Sequence, residues 1–211
     1  MTKAARAALA RAELTARQAR IPALTAEVES ASLVLNTPAA RLIANGEERL
    51  LPLGEVEALL GSKALIVDVC HHVVRHARTV VSLARRPVLF ALARALGEVW
   101  PSDVPRDILL ARAFGAKLSD ESHRARLRVE IGRLRSALRT LAHVSATKRG
   151  FVLVPRRGRA VVVIAPPLEG EDAAVLALLV DGEAWSSSSL ALALGTSQRT
   201  AQRALDSLAV S

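Results

Sequence analysis

The spacing of apolar positions changes several times along the chain, and each change predicts an element. Residues 1 to about 35 are rich in Ala, Arg and Glu at helical spacing. Pro22 suits a break or the first turn of a new helix, so two short helices are predicted rather than one. Leu14, Ile21, Val28 and Leu35 recur every seven residues, the spacing of a homodimer seam, although Arg17 and Pro22 interrupt it. Residues 41–53 place Asn45-Gly46 between two short apolar runs, a hairpin signal, and 55–60 reads as a short helix. From Ala64 the period becomes two, and 64–69, 73–76 and 79–83 read as strands of a small sheet.

Helical spacing returns over 87–99 and 105–114, separated by Trp100-Pro101-Ser102-Asp103, with Gly115 as a stop. A third helix, capped by Ser119, Asp120 or Ser122, extends to about Leu141, roughly 30 Å at 1.5 Å per residue. Residues 144–147 and 151–154 flank Lys148-Arg149-Gly150 as a basic hairpin. A strand over 160–165 leads into a linker at 166–172, followed by helices over 173–180, 187–194 and 197–208. The predicted organisation is a helical segment (1–40), a domain with N-terminal strands (41–165), the linker, and a helical domain (173–211). The fold class is mainly α with small β-sheets, α+β.

Composition narrows the function classes. A hydrophobic content of 51% supports a buried core and excludes a disordered chain. Tyr is absent and Phe plus Trp total five, so the core is aliphatic and an aromatic platform for single strands is not expected. No apolar run approaches the roughly 18 residues of a membrane helix, no secretory signal is legible, and the lone Cys70 fits a reducing cytoplasm. The net charge of +9 is concentrated: residues 121–159 hold eleven basic and two acidic residues, leaving 18 of each elsewhere. Such concentration is the footprint of a surface that meets a polyanion, the plainer alternative being a solvated helix rich in arginine.

Winding 122–141 at 100° per residue brings Leu127, Ile131, Leu134 and Leu138 within about 60° of one another as a buried stripe. Opposite stand Ala125, Val129, Gly132 and Ser136. Arg126 and Arg133 line one edge, and Arg128, Arg135 and Arg139 the other. Little bulk on the line of closest approach, with guanidinium groups on both sides, suits a helix entering the major groove of double-stranded DNA.

Strands, three helices, then Ile131-Gly132-Arg133-Leu134-Arg135-Ser136-Ala137-Leu138 followed by Thr147-Lys148-Arg149-Gly150-Phe151-Val152-Leu153 resemble the OmpR/PhoB-type winged helix over about 64–154. The resemblance implies that the third helix reads the major groove through Arg126, Val129 and Arg133, and that Thr147, Lys148 and Arg149 form the wing contacts. Two features depart from that family: its wing usually carries a second glycine and a tyrosine where this chain has Arg149-Gly150-Phe151, and no receiver domain precedes it. Control by aspartyl phosphorylation is therefore not expected.

Residues 187–208 resemble the helix-turn-helix domains of bacterial regulators, with Ala191, Gly195 and Ala201 as the small residues that let two helices cross. Leu190, Leu194, Leu205 and Leu208 supply the core with Leu176 and Leu179. Ser197, Gln198, Arg199, Thr200, Gln202 and Arg203 face outward, with Gln and Arg able to pair with adenine and guanine edges. The chain ends at Ser211, where a wing would begin, so this domain lacks one or the chain is truncated.

Asp68, Cys70, His72 and His76 would share one face of an extended strand, but four ligands spread over more than about 20 Å cannot hold one ion. The run Ser186 to Ser189 reads as helix capping rather than a nucleophile. No phosphate-binding glycine loop is present, and neither an enzyme site nor a cofactor or metal is expected. The expectation is a cytoplasmic, nucleoid-associated transcriptional regulator: a winged helix-turn-helix plus a second helix-turn-helix domain, reading two half-sites. The rival readings are a protein interaction scaffold and a sequence-independent architectural binder.

Overall fold

The computed structural model describes residues 2–115, 121–157, 160–168, 171–179, 184–194 and 196–210. The chain divides into two compact units, residues 1–165 and 166–211. Helix α1 (Thr2–Ala19) ends at Arg20, which takes φ +53°, and α2 (Pro22–Asn36) opens with Pro22 in its first turn, where a missing N–H is harmless. The reversal folds α2 back along α1. The seven-residue recurrence from Leu14 to Leu35 is thereby split between two antiparallel helices, so it forms no continuous heptad seam along one helix.

The hairpin of β1 (Pro38–Ala44) and β2 (Glu47–Pro52) turns at Asn45 and Gly46, both with positive φ, as a tight two-residue connection requires. Helix α3 (Leu53–Leu60) follows, then a meander of β3 (Leu65–Asp68), β4 (Val73–His76) and β5 (Thr79–Ser82). Next come α4 (Pro87–Glu98), a two-residue strand β6 (Val104–Pro105) and α5 (Arg106–Phe114), which ends on Gly115 in the left-handed region. Helix α6 (Glu121–Leu138), strands β7 (Ala142–Ala146) and β8 (Gly150–Pro155), and strand β9 (Val161–Ala165) complete this unit. Helix α6 stops three residues short of Leu141, and two of its predicted caps, Ser119 and Asp120, lie outside the described residues. The third, Ser122, is a residue of the helix itself.

Two sheets result. The larger runs β2-β1-β9-β3-β4-β5, antiparallel throughout except where β9 lies parallel to β3. All five residues of β9 are buried, as an unbroken Val/Ile run covered on both faces should be. Val161 and Val163 face the core built on α4, while Val162 and Ile164 join Ile66 and Leu51 under Val56, Leu59 and Leu60. The smaller sheet, β6-β8-β7, stands against α4, α5 and α6 through Val104, Val144, Phe151 and Leu153. Glu98 joins α4 to α5, accepting from Arg94 Nε at 2.6 Å and lying 3.1 Å from Arg112.

The second unit comprises α7 (Glu171–Leu179), α8 (Ser187–Leu194) and α9 (Gln198–Val210). Its core is Val175, Leu190, Ala191, Ala201 and Ala204, with Leu178, Leu179, Trp185, Leu194, Leu205 and Leu208 packed around it. Leu176, expected in that core, is 41% exposed, because the inward phase of α7 falls on Val175, Leu178 and Leu179. Both units together make this an α+β protein. No described helix is long and apolar enough to cross a membrane.

Candidate nucleic-acid interface

The predicted stripe on α6 is buried: Leu127, Ile131, Leu134 and Leu138 are all at or below 2% exposure. Anchoring one face of a helix by four aliphatic side chains fixes what its other face presents. That face carries Ala125, Val129 and Ser136, all exposed, and Gly132, half-buried. A Cβ built on Gly132 would meet nothing within 4 Å, so internal packing does not call for a glycine there.

The arginines around this centre divide by what they touch. Arg126 lies over the Phe114 ring at 4.5 Å, which holds its guanidinium beside the end of α5 while leaving the residue exposed. Arg133 is exposed and donates to Glu130 Oε1 at 2.7 Å, one turn back. Arg128 and Arg139 are exposed as well. Arg135 is half-buried; its Nε donates to the Val144 carbonyl at 2.7 Å and its guanidinium sits 6.0 Å from the Phe151 ring. It therefore braces α6 against the β7-β8 hairpin instead of standing on the outer edge with Arg128 and Arg139.

The hairpin tip is held from within. Thr147 Oγ1 donates to Asp103 Oδ2 at 2.5 Å and accepts the Gly150 N–H at 2.8 Å. Arg106 donates from its two terminal nitrogens to the carbonyls of Lys148 and Thr147, at 3.1 and 3.2 Å, and lies 5.4 Å from the Phe151 ring. Thr147 is thus part of the turn's own scaffold, and the outward side chains of the tip are Lys148 and Arg149, both exposed. Asp103, Arg106 and strand β6 were not singled out from the sequence. A two-residue strand is too short to show a period, and Arg106 acts on residues more than forty positions away.

In the second unit, Ser197 caps α9, accepting the Thr200 N–H at 3.2 Å and contacting its hydroxyl at 2.7 Å. Gln198 donates to Ser187 Oγ at 3.1 Å and Gln202 to Asp206 Oδ1 at 3.0 Å. Gln198, Arg199, Gln202 and Arg203 are exposed, and Thr200 is half-buried. The small residues expected at the helix crossing, Ala191 and Ala201, are buried, while Gly195 lies outside the described residues. Ser186 caps α8 through the Ser189 N–H at 3.1 Å.

The strand-borne quartet Asp68, Cys70, His72 and His76 does not exist as such. Strand β3 ends at Asp68 and residues 69–72 turn, with His72 at φ +52°. Asp68 takes the His71 ring at 2.8 Å, and the His72 ring packs tilted against Phe90 with centroids 4.7 Å apart. Among the described residues no three potential metal-ligating side chains come together. Comparison of the chain with protein-family models, with curated proteins and with solved structures finds no match.

Proposed function

We propose that this chain is a double-stranded DNA-binding transcriptional regulator, acting as a binding protein rather than an enzyme, at the cytoplasmic nucleoid. In this reading α6 enters the major groove and the β7-β8 hairpin is a wing on the backbone. The order α4-β6-α5-α6-β7-β8, entered through a sheet and with β6 paired to the hairpin, supports the OmpR/PhoB-type winged-helix likeness. The observation that carries the function is the exposed face of α6: a small-residue centre flanked by Arg126, Arg128 and Arg133, with Lys148 and Arg149 at the hairpin tip. Arg133 reads a base edge, Lys148 holds a phosphate, and Arg135 and Thr147 position the wing. Residues 197–203 form a second reading head, so the preferred site is bipartite.

Selection from random duplex DNA, repeated at two salt concentrations, tests this. An enriched motif is the expected result. Salt-sensitive retention without a motif would instead identify an architectural binder, and no retention at low salt would leave a protein scaffold. Arg133→Ala is expected to relax base preference at one position at a cost of about 1–3 kcal/mol. Lys148→Ala should weaken all sequences alike and lower the salt slope by about one. Equal, small effects on both would count against groove reading.

Gly132 supplies a test in which stability and function move in opposite directions. A mid-helix glycine costs about 1 kcal/mol relative to alanine, and here the space around it is open. Gly132→Ala is therefore expected to raise stability by roughly 0.5–1 kcal/mol while weakening specific DNA binding, because the methyl group intrudes where the duplex comes closest. Denaturant melts and titrations of the selected duplex read the two effects; unchanged affinity would refute close approach at this residue.

A further inference from the structure

The α1-α2 hairpin carries apolar surface that nothing described in residues 1–165 covers. Among its described side chains Ala16 alone is buried, whereas Leu14 is 62% and Leu33 71% exposed. A groove of about 370 Å³ runs between the helices, lined by Glu13, Ala16 and Arg17 on α1 and by Val28, Glu29 and Leu33 on α2. The two helices carry opposite charge. Helix α1 holds Lys3, Arg6, Arg11 and Arg17 against Glu13, and α2 holds Glu27 and Glu29 with no basic residue.

We infer that a second copy of this chain covers the groove, hairpin on hairpin, as a two-fold four-helix bundle. A two-fold axis along the groove sets α1 of each copy over α2 of the other, positive against negative. The alternative face-to-face arrangement, α1 on α1, would bring like charges together. Side chains lean toward the N-terminus of their own helix, and the helices run in opposite directions, so Arg17 and Glu29 lean toward a common level of the groove. Arg17 of one copy then meets the carboxylate at position 29 of the other. Leu33 lines the groove and Leu14 stands 60° from Arg17 around α1, so both are covered.

The size is adequate: two adjacent helices about 25 Å long and 10 Å across give a flat footprint on the order of 500 Å². Accessible area exceeds the flat footprint, and a standard interface buries about 800 Å² per partner. Glu13 and Glu29 in the groove argue against a nucleic-acid occupant. The inference goes beyond the DNA reading and is tested without DNA.

Sedimentation of the full chain from about 1 to about 100 μM should give a mass twice the 22.4 kDa of one chain. R17E makes both groove positions acidic and E29R makes both basic, so each variant alone is expected to associate at least tenfold more weakly. An equimolar mixture of the two should restore the dimer, because each variant complements the other across the axis. Leu33→Ser, which leaves the charges alone, should also weaken association, and it decides the matter if a charge variant loses its helical signal. A monomeric wild-type chain, single variants that associate as wild type does, or a mixture that stays monomeric would each overturn the inference. If the dimer and the DNA reading both hold, the selected motif is an inverted repeat.

Discussion

Replacing Gly150 with alanine is expected to cost roughly 3 kcal/mol or more of folding stability and to abolish DNA retention. A Cβ at this position would lie 1.7 Å from the Val104 carbonyl oxygen and 2.9 Å from the Pro105 Cα, and neither backbone atom can rotate away. Strands β6 and β8 pair there, Pro105 opposite Gly150 and Val104 opposite Phe151, so the methyl group must drive them apart. The separation would expose Phe151 and dislodge Asp103 and Arg106, which hold the turn. Overpacking in a core costs about 1–3 kcal/mol when side chains can adjust, and a backbone clash has no such relief. For a unit of this size the loss corresponds to a melting point lower by about 6–12 °C. Thermal unfolding followed by near-ultraviolet circular dichroism reads it; a variant within about 1 kcal/mol of wild type would mean that β6 does not pair with β8 in solution.

Leu134→Ala should lose a comparable amount, about 3–5 kcal/mol. Its side chain is fully buried, between Leu127 and Ile131 on one side and Leu138 on the other. Truncation removes its transfer energy and leaves a cavity that a rigid setting of helix and sheet cannot close. The informative control is Val129→Ala on the opposite face of the same helix. Val129 is 53% exposed, so that change should stay within about 0.5 kcal/mol. Urea denaturation at one fixed protein concentration measures both variants. DNA titration should then invert the order: the folded fraction of Leu134→Ala should retain its specificity, while Val129→Ala should alter it with no loss of stability. Similar stability losses for the two would mean that α6 does not present the face described here.

Much of the local structure was legible from residue order. The helix pair around Pro22, the Asn45-Gly46 hairpin, the meander after Ala64, the stop at Gly115 and the aliphatic stripe of α6 all rest on spacings of two to four residues or on one residue's φ preference. The candidate interface was legible to the same extent. Arg126, Arg128, Arg133, Lys148 and Arg149 stand outward because the phase of an anchored helix and the tip of a hairpin leave them no other direction.

Contacts between distant segments set the rest. By itself the sequence determined roughly where most helices and strands lie, which side of α6 is apolar, and where positive charge collects, since each follows from neighbours on one helix or strand. Only the tertiary structure decided that 161–165 fills the middle of a six-stranded sheet beside 65–68, because an all-apolar strand states that it is buried without stating which edges it pairs with. It likewise drew Arg135 inward to the Val144 carbonyl, committed Thr147 to Asp103, and brought Arg106 under the hairpin tip. A guanidinium or hydroxyl satisfies whichever acceptor the fold brings within reach, and that choice has no period along the chain.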